Sequence, residues 1–249
     1  MKPVGAVTRG TTNPNRLRRV DNFIAYRCGE LLARAAVPLV VDLGFGSSPV
    51  TAVELRGRLA AAVRADLAVV GLEIDPVRVS DAQPHADPPL LEFRRGGFEL
   101  AGLHPTVVRA FNVLRQYAED EVADAWRTMT ATGALLVEGT CDELGRIATW
   151  AVVDGGGPQT LTLSARLSDL DHPATFAERL PKALIHHNVP GTPVHTLLRE
   201  LGAAWEASAT PFGPRQRWLG AVAKFREQWQ VLDGPARWRR GELTMPWPQ

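Results

Sequence analysis

The stretch Leu39-Val40-Val41-Asp42-Leu43-Gly44-Phe45-Gly46-Ser47-Ser48-Pro49 constrains this chain more than any other. Its apolar, β-branched start predicts a buried strand. A carboxylate follows, then two glycines that let the backbone turn tightly and approach a ligand. Ser47 or Ser48 is placed to cap the next helix, and Pro49 suits its first turn, where a missing N–H is harmless. That helix is expected to run from Pro49 to Ala62, its free N–H groups facing whatever anion lies over the glycines.

A second apolar run ending in acid, Ala68-Val69-Val70-Gly71-Leu72-Glu73-Ile74-Asp75, predicts a neighbouring strand. Open α/β sheets bind ligands at the carboxyl ends of their strands. Asp42, the glycines and Glu73 are therefore expected to face one crevice. A dinucleotide fingerprint would need a third small residue where Pro49 stands, and an acid closer than Glu73. Asp42 would also repel a pyrophosphate there but attract a cationic ligand.

VVDLGFGSSP followed by VVGLEID resembles motifs one and two of class I S-adenosylmethionine-dependent methyltransferases. The resemblance implies S-adenosylmethionine as cofactor. It places the loop Gly44-Phe45-Gly46 and Asp42 at the methionine part, Glu73 at the ribose hydroxyls and Ile74 against the adenine. The family often has a glycine-acid pair reaching the adenine amino group, where this chain has Arg95-Gly96-Gly97-Phe98-Glu99-Leu100. Gly97 holds the acid's position, which leaves a backbone contact at Gly97 or Phe98. The competing readings are an NAD(P)-dependent oxidoreductase and a non-catalytic binding protein that keeps the fold.

Further strands are expected at Leu90–Arg94, Thr106–Ala110, Gly133–Gly139, Arg146–Val153 and Thr160–Leu167, the last two joined by the hairpin loop Asp154–Pro158. The fold class is thus α/β: a Rossmann-like three-layer α/β/α arrangement with a seven-stranded, mostly parallel sheet, an N-terminal helix and C-terminal helical additions. One domain is expected. Residues 1–36 form an arm and helix, 37–167 the cofactor-binding core, and 168–249 a helical part with helices at Pro173–Ile185, broken or kinked at Pro181, Thr192–Ala204 and Arg215–Trp229. Asn13 or Asn15 is the expected cap of the N-terminal helix, and Pro246-Trp247-Pro248 an extended tail. By the resemblance, Arg9 to Arg19 form a lid over the cofactor; a free tail on a packed helix is the alternative.

Methyl transfer needs chiefly alignment, and a base only where the nucleophile arrives protonated. Asn112, at the end of the Thr106 strand, is a candidate for both cofactor contact and catalysis, with a turn role as the alternative. The Asn-Pro-Pro-aromatic motif of amine methylation is absent. Glu138 is the second catalytic candidate, with turn capping as the alternative, and Arg115 and Tyr117 are candidates to line the acceptor site. His172, His186, His187 and His195 match no zinc spacing, so no metal is expected. Cys28 and Cys141 stand alone and read as buried thiols, and no phosphate-loop motif is present.

The net charge is +1, yet residues 1–34 carry +5, residues 212–249 carry +4 and the middle −8. Such ends could steer an anionic acceptor, RNA included, or fold onto the acidic middle. The methyl acceptor is unidentified; a small molecule is favoured, with RNA as the alternative. No apolar segment has the length of a signal peptide core or a membrane span, so a cytoplasmic protein is expected.

Overall fold

The computed structural model describes residues 3–8 and 10–248. An extended arm leads into helices α1 (Arg18–Arg27) and α2 (Gly29–Arg34), then into β1 (Leu39–Leu43), α3 (Val50–Ala62), β2 (Ala68–Glu73) and α4 (Pro76–Ala82). Next come β3 (Leu91–Arg95), β4 (Val107–Phe111), α5 (Val122–Thr130), β5 (Leu135–Cys141), β6 (Ile147–Asp154) and β7 (Gly157–Ala165). The chain finishes with α6 (Lys182–Ile185), α7 (Pro193–Glu206), α8 (Pro214–Phe225), α9 (Pro235–Trp238) and β8 (Glu242–Pro246). Among the described residues no helix is long and apolar enough to cross a membrane.

The strands form one sheet in the order β3-β2-β1-β4-β5-β6-β7-β8. The first five are parallel; β6, β7 and β8 each run antiparallel to the strand before. The order reverses between β1 and β4. That reversal opens a crevice at the carboxyl ends of the two strands, where doubly wound sheets bind ligands.

Alternation along the strands divides the core. Val40, Val107, Val137 and Trp150 face α1, α2 and α3 on one side. Val41, Val108, Leu136 and Ala151 face α5 on the other. Leu161, Leu163, Leu243 and Met245 continue that second side under α7 and α8. The expected α/β/α layering is present, with eight strands where seven were expected.

The extra strand, Glu242–Pro246, lies where no element was expected and shares only Pro246 with the expected tail Pro246-Trp247-Pro248. Glu242-Leu243-Thr244-Met245 alternates polar and apolar residues, but its polar face is also buried. Arg237 pairs with Glu242, and the Thr244 hydroxyl meets that of Thr162 on β7 at 3.0 Å. The helix expected over Pro173–Ile185 is broken into a 3₁₀ segment, Pro173–Arg179, and α6. Pro181 forces Leu180 before it into an extended conformation, ψ 144°. Neither Asn13 nor Asn15 caps α1, which follows Leu17 without a side-chain cap. Asn13 Nδ2 instead donates to the Glu143 carbonyl at 2.9 Å, and Asn15 Oδ1 accepts from Arg58 at 2.8 Å.

Candidate functional site

Gly44 and Gly46 take left-handed φ angles of 72° and 83°, which only glycine adopts without strain. The Gly44 N–H donates to the Leu72 carbonyl at 2.8 Å, so the turn after β1 is stitched to β2. Ser47 does not cap α3: its N–H and its hydroxyl both donate to the Gly10 carbonyl of the arm, at 3.0 Å and 2.7 Å. Ser48 Oγ accepts from the Val50 N–H at 3.4 Å. Beside this loop opens a cavity of about 480 Å³, at the ends of β1, β4 and β5.

Asp42 lines that cavity, but its carboxylate is held by Arg109, its register partner on β4. Arg109 Nε donates to Asp42 Oδ1 at 2.9 Å, and its Nη2 lies 2.7 Å from Oδ2. Arg109 also pairs with Asp21 of α1 and donates to the Thr51 carbonyl of α3 at 3.0 Å. Burial alone would lower its pKa; Asp42 and Asp21 reverse this and raise it, so the guanidinium stays charged. The cluster fixes α1 and α3 to the sheet beneath the loop.

Glu73, 2 % exposed, turns its carboxylate toward the loop. Oε2 accepts from the Gly46 N–H at 3.1 Å, and Oε1 from the N–H groups of Ile74 and Asp75 at 2.9 Å and 3.4 Å. Ile74, Gly97 and Phe98, the residues expected around adenine, converge with Glu73 and Gly44 on one spot. The arm fills it: Val4, Ala6 and Thr8 leave a free volume of only about 10 Å³, too little for more than one water. The Val4 carbonyl accepts from the Phe98 N–H at 2.9 Å, and the Val4 N–H donates to Glu99 Oε2 at 2.7 Å. Gly97 permits this approach, because a Cβ there would lie 2.0 Å from the Val4 carbonyl oxygen. Further along, the Gln116 amide donates to Ala6 and Arg78 to Thr8, at 3.1 Å and 3.0 Å. The expected Arg9–Arg19 lid begins at Arg9, which lies outside the described residues; the segment over the crevice includes Val4 to Thr8, upstream of it.

The two catalytic candidates part company. Asn112 borders the cavity in a left-handed turn, φ 59°. Its Oδ1 accepts from the Cys141 N–H at 3.0 Å and its Nδ2 donates to Cys141 Sγ at 3.3 Å. The side chain thus ties the ends of β4 and β5 together, the turn role that was the alternative. Glu138 does not reach the cavity, contrary to expectation. It points with Leu136 to the α5 side of the sheet, between its register partners Ala110 and Ala151, whose small side chains leave it room. It is fully buried and both oxygens lack a hydrogen-bond partner. Burial pushes its carboxyl up to about 8, and the Trp126 indole nearby pulls only weakly the other way, its N–H outside hydrogen-bonding geometry. Arg115 lines the cavity, while Tyr117 lies under the arm and accepts from the Ala6 N–H.

Sequence reasoning missed the contacts made by Arg109, Asp21 and Glu99. Arg109 did leave a signal, since a charge inside the apolar run Val107-Val108-Arg109-Ala110 requires a buried partner. Among the described residues no group of three or more His, Cys, Asp or Glu could hold a metal ion.

No family model matches the sequence, and no curated protein matches it. Solved structures do. Magnesium protoporphyrin IX methyltransferase from Synechocystis, with bound S-adenosylhomocysteine, is 19% identical over 51% of this chain and 58% of its own, with a TM-score of 0.35. The amino pentose methyltransferase CalS10 from Micromonospora echinaspora is 20% identical over 64% and 66%, TM-score 0.36. Human N-acetylserotonin methyltransferase is 21% identical over 53% and 40%, TM-score 0.33. The chain spans less than two thirds of the first of these, and the likeness is one of fold. Its strand order, its parallel run to β5 and a glycine loop at the switch point give the chain a Rossmann-like α/β fold.

Proposed function

We propose that this chain transfers a methyl group from S-adenosylmethionine to a small-molecule acceptor bound in the cavity beside the glycine loop. The observation that carries the reading is what Val4 occupies. Its peptide offers one donor to Glu99 and one acceptor to Phe98. The exocyclic amine and adjacent ring nitrogen of adenine offer the same pair. Glu99 thus supplies the carboxylate that Gly97 cannot, and the Phe98 N–H supplies the backbone contact expected from the sequence.

The remaining residues fit the same ligand. Glu73, aimed at the loop, would take the ribose hydroxyls, and Gly44 to Gly46 would border the methionine part. The arm must leave its place for an adenosyl group to enter. When bound, the cofactor supplies a methyl group on a sulfonium. The chain's own contribution is to hold the acceptor in line with it and to exclude water, which is where most of the rate arises in such transfers.

Calorimetric titration of the full chain with S-adenosylmethionine and S-adenosylhomocysteine tests the reading, with NADH and NADPH as comparators. Binding of the adenosyl ligands alone is expected, weakened in both Glu73→Ala and Glu99→Gln. A folded protein that binds neither adenosyl ligand, or that prefers a dinucleotide, refutes it.

A further inference from the structure

The charged lining of the large cavity says what its acceptor is. Three guanidiniums border it, from Arg16 before α1, Arg115 after β4 and Arg179 at the end of the 3₁₀ segment. No carboxylate lies within ion-pair distance of any of the three among the described residues. Arg16 Nε donates to the Asp142 carbonyl at 2.9 Å and its Nη1 to that of Thr11. Arg115 Nη1 donates to the Glu178 carbonyl at 3.2 Å. The Arg179 side chain makes no hydrogen bond among the described residues, although its backbone is firmly held. Thr140 of β5 and Thr149 of β6, both fully buried, donate their hydroxyls to its carbonyl. Two strands thus hold in place an arginine with no carboxylate in ion-pair contact among the described residues; Glu143, exposed and further off, is the acid that faces it and the other two arginines.

Among the described residues, no histidine, lysine or tyrosine lines the same cavity. Asp42 is taken by Arg109. Cys141 is buried, which raises its thiol pKa. Glu143, exposed at the rim, is drawn below the usual carboxylate range by a backbone N–H and then by Arg179, which makes it a weak base. An alcohol or phenol would have to shed a proton during transfer and would find no group to take it.

We infer that the acceptor is a small carboxylic acid, bound as its anion by Arg16, Arg115 and Arg179 and methylated on oxygen. The inference rests on the methyl-transfer reading above. The chemistry balances without a base. A carboxylate oxygen lone pair forms the new O–CH₃ bond while the C–S bond breaks, its electron pair staying on sulfur. The products are a neutral methyl ester and a neutral thioether, and no proton moves. The ester has lost the charge that the arginines held, so the reaction itself loosens the product.

Two measurements on the full chain test this. In the first, phenylglyoxal labels accessible arginines and peptide mapping reads each site. Benzoate is expected to slow labelling of Arg115 and Arg179 by about tenfold, as a charge-assisted hydrogen bond would, and benzamide to leave it unchanged. The protection at Arg115 should vanish in Arg179→Met, while S-adenosylhomocysteine binds that variant as it binds the parent. Equal protection by benzoate and benzamide, or none by either, overturns the anion site. In the second, the protein is supplied with methyl-labelled S-adenosylmethionine and a pool of aromatic and aliphatic carboxylic acids. Label that mild alkali releases as methanol supports an ester. Alkali-stable label, or no label from protein that binds S-adenosylhomocysteine, overturns it. If benzoate protects but no adenosyl ligand binds, the anion site stands and the methyl-transfer reading falls.

Discussion

Glu138 makes the stability of this protein depend on pH in a direction opposite to that of most acidic residues. The carboxyl has a folded pKa of about 8 against an ordinary value of 4.5. Below 4.5 it is protonated in both states and carries no penalty. Between the two values the folded state keeps its proton while the unfolded chain has lost it, so each pH unit favours unfolding by about 1.4 kcal/mol. Between about pH 5.5 and pH 8 the loss comes to about 3 kcal/mol, which corresponds to a drop of about 6–12 °C in Tm for a chain of this size. Glu138→Gln keeps the shape and removes the titration. The amide brings two donors to a place with few acceptors, an offset of about 1–3 kcal/mol that does not change with pH. The slope is therefore the readout. Urea unfolding followed by tryptophan fluorescence, at several pH values for both proteins, should give curves that diverge as pH rises, the variant gaining relative to the parent. A difference that stays constant across the range refutes a buried, neutral Glu138.

Other substitutions address the floor of the site and the arm. Arg109→Met leaves Asp42 buried without its ion-pair partner and Asp21 with Arg58 alone, and should cost about 3–5 kcal/mol in urea unfolding; stability equal to the parent would show that the cluster does not hold α1 to the sheet. Gly97→Ala places a Cβ against the Val4 carbonyl at a backbone angle alanine accepts, so the first ten residues should be cut faster by limited proteolysis, and an unchanged rate would contradict the packing described. Deleting residues 1–8 removes five hydrogen bonds made by or to Val4, Ala6 and Thr8. At about 1 kcal/mol each they nearly balance the ordering entropy of those residues, so S-adenosylhomocysteine should bind about two- to tenfold more tightly; weaker binding in calorimetry would mean the arm helps rather than obstructs. Asn112→Ala should lower stability by about 2 kcal/mol through its left-handed backbone and the lost Cys141 contact, with Asn112→Gly recovering the backbone part in thermal melts.

What could be read from the sequence was whatever a short window contains. The β1 loop and β2, the hairpin of β6 and β7, and the apolar stripe of α8 announce themselves through glycines, alternation and helical spacing. Asp42 looked like a ligand contact because its neighbours in sequence are a loop. Its actual partner, Arg109, lies 67 residues away and meets it only because β1 and β4 share a register. Glu138 stands at a strand end facing the crevice in sequence order, but the parity of β5 sends its side chain to the other face. β8 escaped because its polar residues find buried partners on α9 and β7 and so look like surface. Gly97 stands where the family has an acid; on the function proposed above that acid is supplied two residues later, by Glu99, a shift that motif comparison does not tolerate and three-dimensional geometry does.

The arm can also be considered as a tethered ligand. Asp21 and Arg109 nail α1 in place, so the segment ahead of it swings from a fixed post. The 14 residue steps from Val4 to the start of α1, fully drawn out, reach no further than about 50 Å. Val4 consequently never leaves the neighbourhood of its own pocket, and it is present there at an effective concentration on the millimolar scale whatever the protein concentration. Dilution does not open the crevice. Only a free ligand whose concentration, weighed by its affinity, exceeds that of the leash can hold it open, so on the function proposed above the arm sets a threshold of adenosyl ligand below which the protein stays shut.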